Sequence, residues 1–239
     1  MTASWLESVL DLFFPPTCLL CRVRISPGAE SFPFCSSCLP EVKFAGRYCL
    51  KCNSSGADGL PCRCRRDGLL PGRFFGLAWY EGAWRKLLLD LKYGGKSYLA
   101  RSIGRLLGES LQGLEEWPAP ELVTAIPLFP GKRRERGYNQ AALLARRVGR
   151  ELGVPYKPLL VRVRSTLPQS SLSRQERREN VRGAFSCIEG VRLRGKRILL
   201  VDDIFTTGST MGEASRVLKL AGAGEIVGAV AAIQRKTGW

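Results

Sequence analysis

The sequence predicts an α/β protein: a parallel sheet flanked by helices, with a small cysteine-rich, metal-binding module at the N-terminal side. Three observations point there. Eight of the nine cysteines fall between Cys18 and Cys64, in four close pairs. From Pro118 onward, short apolar runs alternate with segments of helical spacing, and such alternation implies a parallel sheet covered on both faces. The 239 residues, 45% of them hydrophobic, suffice for one α/β domain with a core and a small appendage.

The first element is a short helix. Trp5, Leu6, Val9, Leu10, Phe13 and Phe14 share one of its faces, while Glu7 and Asp11 precede any basic residue. An export signal starts with positive charge, and helices that lie on membranes favour Lys and Arg. This helix is expected to pack on the protein instead. No apolar run approaches the roughly 18 residues a membrane span needs. The expected location is cytoplasmic, where disulfides are disfavoured.

The cysteine module follows. Its pairs are Cys18 with Cys21, Cys35 with Cys38, Cys49 with Cys52, and Cys62 with Cys64. A two-residue gap lets two thiolates reach one ion across a tight turn, and four thiolates close a tetrahedral structural zinc shell. Eight therefore predict two zinc ions. Pairing in chain order gives two ribbon-like sites; alternating pairs give a cross-braced module, and both satisfy the spacing. Thiolates suit iron–sulfur clusters as well. With every position filled by sulfur, no metal catalysis is expected. The one-residue gap at Arg63 makes the last pair a tighter bite. Cys187 stands alone and reads as a core thiol.

Asp67 to Gly72 reads as a linker, giving an N-terminal helix and double zinc ribbon-like module over 1–68 and the α/β domain over 69–239. Phe74 to Tyr80 is strand-like. Helices are expected over Ala83 to Tyr93 and from Tyr98 to about Leu111. Leu122 to Ile126 is a buried strand ended by Pro127, and Tyr138 to Leu152 a helix. Leu159 to Val163 and Phe185 to Ile188 are short strands. Ile198 to Val201 is a strand, Ser209 to Leu220 a helix, and Ile226 to Ile233 a closing strand.

The chemistry concentrates in RILLVDDIFTTGST, Arg197 to Thr210. Ligands of parallel sheets sit beyond the carboxyl ends of strands, where Asp202 and Asp203 are placed. Two adjacent carboxylates are costly unless a metal or donating hydroxyls bind them. Thr206, Thr207, Gly208, Ser209 and Thr210 then lead into a helix whose N–H groups and dipole suit a phosphate. The stretch reads as a diol site followed by a phosphate site, as a sugar 5-phosphate requires. No dinucleotide-binding or NTPase glycine loop is present. A receiver-like acid pair would come near the first strand, and this one is late. A plain strand–turn–helix explains one capping hydroxyl, not two acids and four hydroxyls around a glycine.

Charge adds a second clue. The formal net charge is +16, and between Lys132 and Arg197 there are 18 Lys and Arg against 5 Asp and Glu. Such a span favours a nucleic acid or a polyphosphorylated small molecule, though a solvated basic face has the same composition. Aromatics there are only Tyr138, Tyr156 and Phe185, few for stacking bases.

VDDIFTTGST resembles the 5-phosphoribosyl-1-pyrophosphate motif of type I phosphoribosyltransferases. The cysteine pairs, LKYGGK (Leu91 to Lys96), IPL (Ile126 to Leu128), RERGYNQ (Arg134 to Gln140) and Leu167 to Phe185 are similar to the ComF family of that fold, bacterial proteins associated with competence and DNA uptake. The Cys62–Cys64 gap and Asn53 after Cys52 depart from the family pattern. The resemblance implies the type I phosphoribosyltransferase fold. It also implies that Asp202 and Asp203 hold the ribose hydroxyls and Thr206 to Thr210 the 5-phosphate. Pyrophosphate would be received by Ile126, Pro127 and Leu128, with Lys132, Arg133, Arg134 and Arg136 as counter-charges. A closing basic loop over Arg162 to Arg182 would bring Arg164, Gln169, Arg174 and Arg177, with Arg164 and Arg174 acting in catalysis. Mg²⁺ would accompany 5-phosphoribosyl-1-pyrophosphate, and pyrophosphate would leave the anomeric carbon without a protein nucleophile. The resemblance implies either a transferase with an open acceptor or a non-catalytic protein that retains the sugar site. In the second case the basic span and zinc module would bind single-stranded DNA or a DNA-uptake helicase. An ordinary nucleobase salvage enzyme gives the cysteine module no role.

Overall fold

The computed structural model describes residues 17–25, 33–49, 55–56, 71, 73–114, 118–165 and 174–235. In chain order the elements are β1 (Phe44–Tyr48), β2 (Ser55–Gly56), β3 (Arg73–Trp79), α1 (Gly82–Tyr93), α2 (Leu99–Gln112), β4 (Leu122–Ala125), α3 (Pro130–Arg136), α4 (Gln140–Leu152), β5 (Leu160–Arg162), α5 (Arg174–Val181), β6 (Phe185–Cys187), β7 (Arg197–Phe205), α6 (Ser209–Leu220) and β8 (Glu225–Ile233). The main sheet has the order β2-β1-β3-β8-β7-β4. Strands β3, β8, β7 and β4 are parallel, and β1 and β2 extend the sheet antiparallel beyond β3. The last strand in sequence, β8, thus lies between β3 and β7.

Alternation along the strands builds two cores. Leu199 and Val201 of β7, with Val227, Ala229 and Ala231 of β8, face α1, α2 and α4. Ile198 and Leu200, with Ile226 and Val230, pack with Met211, Ala214 and Leu218 of α6. A strand buried on both faces reads as a continuous apolar run, which is why RILLV and IVGAVAAI were legible. Helix α1 is anchored by Trp84, whose Nε1 donates to Ala231 O of β8 at 3.0 Å. Fully burying leucines such as Leu87, Leu88 and Leu91 contributes roughly 1.5–3 kcal/mol each.

Helices α2 and α4 meet through small residues. A Cβ on Gly104 would lie 2.7 Å from Arg147 Cβ, and one on Gly108 would lie 2.6 Å from Glu151 Cβ. The helices can approach this closely only because those side chains are absent.

Four departures from the sequence reading concern local structure. Strands β5 and β6 form their own antiparallel pair outside the main sheet. Helix α3 was not expected, since PGKRRER has no apolar stripe to reveal it. Its end at Gly137, with φ of 81°, moves the next helix start from Tyr138 to Gln140. Strand β7 continues past the acid pair to Phe205 because β8 still pairs with it there, Ile204 against Ala232 and Phe205 against Ile233. The N-terminal helix expected around Trp5 to Phe14 lies outside the described residues.

The first part of the cysteine-rich segment packs on the α/β body. Cys18, Phe34, Cys38 and Val42 share one core with Leu87 and Leu88. Phe34 meets Trp84 edge-on, with ring centroids 6.1 Å apart. Strand β1, from before the expected boundary at residue 68, pairs with β3 from after it.

Candidate functional site

The acid pair lies near the carboxyl end of β7, beside the end of α1 and the start of α4. By strand alternation Asp203 continues the Leu199–Val201 row, so it points toward those helices. It is 6% exposed. Its Oδ2 accepts from Gln140 Nε2 at 2.9 Å and lies 3.5 Å from Lys92 Nζ. Its Oδ1 accepts from the Ile204 N–H at 2.9 Å. Asp202 belongs to the other row and is half-buried; its Oδ1 accepts from the Asp203 N–H at 2.8 Å.

These surroundings drive the two acids apart. Burial, and next the charge of Asp203, push the Asp202 carboxyl well above the usual carboxylate range. Burial acts on Asp203 in the same direction, but the Lys92 ammonium and the bonds from its neighbours outweigh it and hold Asp203 below that range. Asp203 in turn raises Lys92 above the ordinary lysine value. Asp203 is therefore the stronger acid of the two and Asp202 the weaker.

Beyond Phe205 the chain turns through Thr206 and Thr207 into α6. Gly208 has φ of 81°, a left-handed conformation costly for a side chain. It is the N-cap, and no side chain caps the helix. Thr207 Oγ1 and Ser209 Oγ are 3.0 Å apart, and all five residues from Thr206 to Thr210 are half-buried. An uncapped helix start lined by hydroxyls offers donors and a positive dipole end to an anion.

Opposite stands the loop after β4. The Ile126 N–H donates to Val201 O of β7 at 3.0 Å, and Ile126 O accepts from Asn139 Nδ2 at 2.9 Å. Asn139 also caps α4, its Oδ1 accepting from the Ala141 N–H at 3.1 Å. Asn139 thus ties the loop to the helix that carries Gln140. Pro127 and Leu128 are half-buried and lead into α3. Cations gather here. Lys132 falls below the ordinary lysine value through partial desolvation, then through the charges of Arg162, Arg136 and Lys92. Arg162 lies within electrostatic reach of Asp202. Arg136 Nη1 donates to Gln140 Oε1 at 2.7 Å, and its guanidinium covers the exposed Tyr93 ring at 5.1 Å. Arg133 and Arg134 are exposed on α3.

The structure thus brings Asp202, Asp203, the turn from Thr206 to Thr210 and the loop from Ile126 to Leu128 to one end of the sheet. Arg164 is engaged elsewhere: its Nη2 donates to Asn180 O at 3.0 Å and Arg182 O at 2.7 Å. Gln169 and the side chains of Arg174 and Arg177 lie outside the described residues. Sequence reasoning did not single out Lys92, Gln140 or Arg162 as site groups. Lys92 and Gln140 sit inside LKYGGK and RERGYNQ, and those motifs were the only signal available for them.

A second cluster lies in the cysteine segment. The sulfurs of Cys18, Cys21, Cys35 and Cys38 lie within 4.8 Å of one another. A tetrahedral shell with zinc–sulfur bonds of about 2.3 Å places its sulfurs about 3.8 Å apart, so the four fit one ion. Burial opposes ionisation of Cys18, yet the N–H groups of Cys21, Cys35 and Leu20 bring its thiol down to about 6. Of the two pairings the spacing permits, this cluster follows chain order. Cys49 is described and half-buried, whereas its expected partners Cys52, Cys62 and Cys64 lie outside the described residues. Cys187 is half-buried, its Sγ 3.8 Å from Val217 O of α6. Among the described residues no helix is long and apolar enough to cross a membrane.

Comparison with known proteins finds relatives over most of the chain. The profile described as "Phosphoribosyl transferase domain" matches residues 138–239. DNA utilization protein YhgH of Salmonella typhi is 30% identical over 224 residues, covering 90% of this chain and 96% of the relative. Competence protein F of Haemophilus influenzae is 29% identical over 214 residues, 87% of this chain and 86% of the relative. Competence protein ComFC of Streptococcus pneumoniae is 32% identical over 147 residues, 62% of each chain.

Proposed function

The chain belongs to the ComF family, which includes competence protein F and DNA utilization protein YhgH and carries a type I phosphoribosyltransferase fold, and from that premise we propose that it binds 5-phosphoribosyl-1-pyrophosphate. The observation that carries the reading is the succession along β7 and α6. A buried acid paired with Lys92 and a half-buried acid beside it are followed at once by an uncapped helix start. Diol and phosphate of one pentose require that order.

In this reading Asp202 and Asp203 accept hydrogen bonds from the ribose 2- and 3-hydroxyls. The turn from Thr206 to Thr210 takes the 5-phosphate. The diphosphate lies against Ile126, Pro127 and Leu128, where Lys132, Arg136, Arg162 and Lys92 supply positive charge. Mg²⁺ would draw on the hard oxygens of Asp202 once that carboxyl has lost its proton, and when bound it would neutralise diphosphate charge. Displacement at the anomeric carbon makes the diphosphate more negative as it leaves, and the same cations stabilise that change. The chain has no histidine, so proton removal falls to a carboxylate or to the acceptor. The thiolate cluster acts as a structural zinc site, and Cys49, Cys52, Cys62 and Cys64 hold a second ion. Titration calorimetry with 5-phosphoribosyl-1-pyrophosphate and Mg²⁺ tests the site. The wild type binds, and Asp202→Ala/Asp203→Ala loses at least about tenfold in affinity, as expected for removing charge-assisted hydrogen bonds. Equal binding by the double variant refutes the assignment.

A second reading rests on exposed Arg133, Arg134, Arg150 and Lys157, which suit a phosphate backbone. The names of the relatives speak of competence and DNA utilization. We carry that over as a cytoplasmic role in DNA uptake, with single-stranded DNA or a helicase as partner.

A further inference from the structure

Lys92 stands between two charge systems. On one side its Nζ lies 3.5 Å from Asp203 Oδ2. That oxygen also accepts from Gln140, and the other accepts from Ile204. Both oxygens of this buried carboxylate thus have partners within the chain, and a sugar hydroxyl approaching Oδ2 meets an ammonium beside it. On the other side, Lys92 shares its surroundings with Arg136 and Lys132, and Lys132 also feels Arg162. These cations lie beside the loop from Ile126 to Leu128 that α3 follows.

The residue type matters. An ammonium on a four-carbon stem is a point charge that can turn, whereas a guanidinium fork is held by its geometry. The Lys92 side chain is 26% exposed, so it is not enclosed on every side. Gln140 is braced by Arg136 Nη1 at 2.7 Å and can keep Asp203 oriented without Lys92. An isolated charge as deeply buried as Asp203 is costly. It can release Lys92 only if other donors replace the ammonium, and a vicinal diol supplies them.

We propose that Lys92 is a positioning cation that couples the two ends of the site: it rests on Asp203 as seen here and turns to the diphosphate when that group arrives, freeing Asp203 Oδ2 to accept from a ribose hydroxyl. The proposal rests on the sugar-diphosphate reading of the site. By linkage the effect is reciprocal: diphosphate strengthens sugar binding by the same factor as sugar strengthens diphosphate binding.

The test uses ribose 5-phosphate and pyrophosphate as separate probes, in the presence of Mg²⁺, each titrated alone and with the other saturating. For the wild type, pyrophosphate tightens ribose 5-phosphate by about tenfold, within the usual range of coupling between sites. Lys92→Met still binds each probe, and its ratio falls to about one, the value for uncoupled sites. Lys92→Gln, a second neutral variant with a polar head, gives the same ratio should the first not fold. Lys92→Arg, which keeps the charge but not the freely turning head, gives a ratio above one and below that of the wild type. Gln140→Met removes a neutral bond to the same oxygen; it weakens ribose 5-phosphate but leaves the ratio unchanged, which separates coupling from simple orientation of Asp203. A wild-type ratio of one, or full coupling in both neutral variants, overturns the proposal alone. Failure of the wild type to bind either probe overturns the site assignment and the proposal with it.

Discussion

Asp203 is buried against Lys92 and Gln140, while its neighbour Asp202 is half-buried beside a negative charge, and the two contribute to stability with opposite sign. The folded-state value of Asp202 is raised. Its contribution is therefore fully present below the unfolded value and is lost as pH rises through the folded one. The value of Asp203 is depressed, so its contribution is present above the unfolded value and lost as pH falls through the folded one. Asp202→Asn is expected to raise the thermal midpoint at neutral pH. Asp203→Asn, which strands Lys92, is expected to destabilise by about 2 kcal/mol. Melts of the wild type and Asp202→Asn from about pH 4 to 8 should diverge as pH rises above the ordinary carboxylate range. Parallel curves would mean that Asp202 titrates normally.

At the scale of elements, the site depends on how closely α4 lies on α2, because α4 begins with Gln140. Gly108→Ala places a methyl group against Glu151 Cβ, which belongs to the stem of that side chain and cannot swing aside. Overpacking of this kind costs typically 1–3 kcal/mol, and the displaced helix moves Gln140 from Asp203. The expected outcome is a lowered midpoint together with weaker ribose 5-phosphate binding, read by melting and calorimetry. The same elements show what could be read in advance. Strands β4, β7 and β8 were legible because both faces are buried and the apolar runs are nearly continuous, with Thr124 the polar break in β4. Helix α4 was legible because Ala141, Leu144, Ala145 and Val148 recur at helical spacing. Strand β1, FAGRY, carries too few apolar residues to stand out, and its existence depends on a partner some thirty residues later. The acids and the hydroxyl-rich turn were visible because they are contiguous. Lys92 and Gln140 were not, because a lone cation and an amide acquire meaning only when α1 and α4 converge on Asp203.

At the scale of the whole molecule, the first cysteine cluster belongs to the body of the protein. Cys18 and Cys38 are buried in the core that contains Trp84 and Leu87, so removing a metal held by the cluster should loosen α1 as well as the turns that hold it. Cys38→Ser is expected to abolish metal binding at this cluster and lower the midpoint by about 10 °C or more in one cooperative transition. Metal analysis and calorimetry check this, and a separate low-temperature transition would mean that the cluster melts independently. The placement of β8 has a further consequence for biosynthesis. It pairs with β3, made some 150 residues before it, and with β7. While the ribosome is still elongating, the nascent polypeptide holds two half-sheets with open inner edges and nothing to insert between them. Translation must deliver residues 225–233 before the halves can join, so the end of the sheet that carries the acid pair cannot assemble domain-first; until then those unpaired edges are the part of the chain most in need of a chaperone.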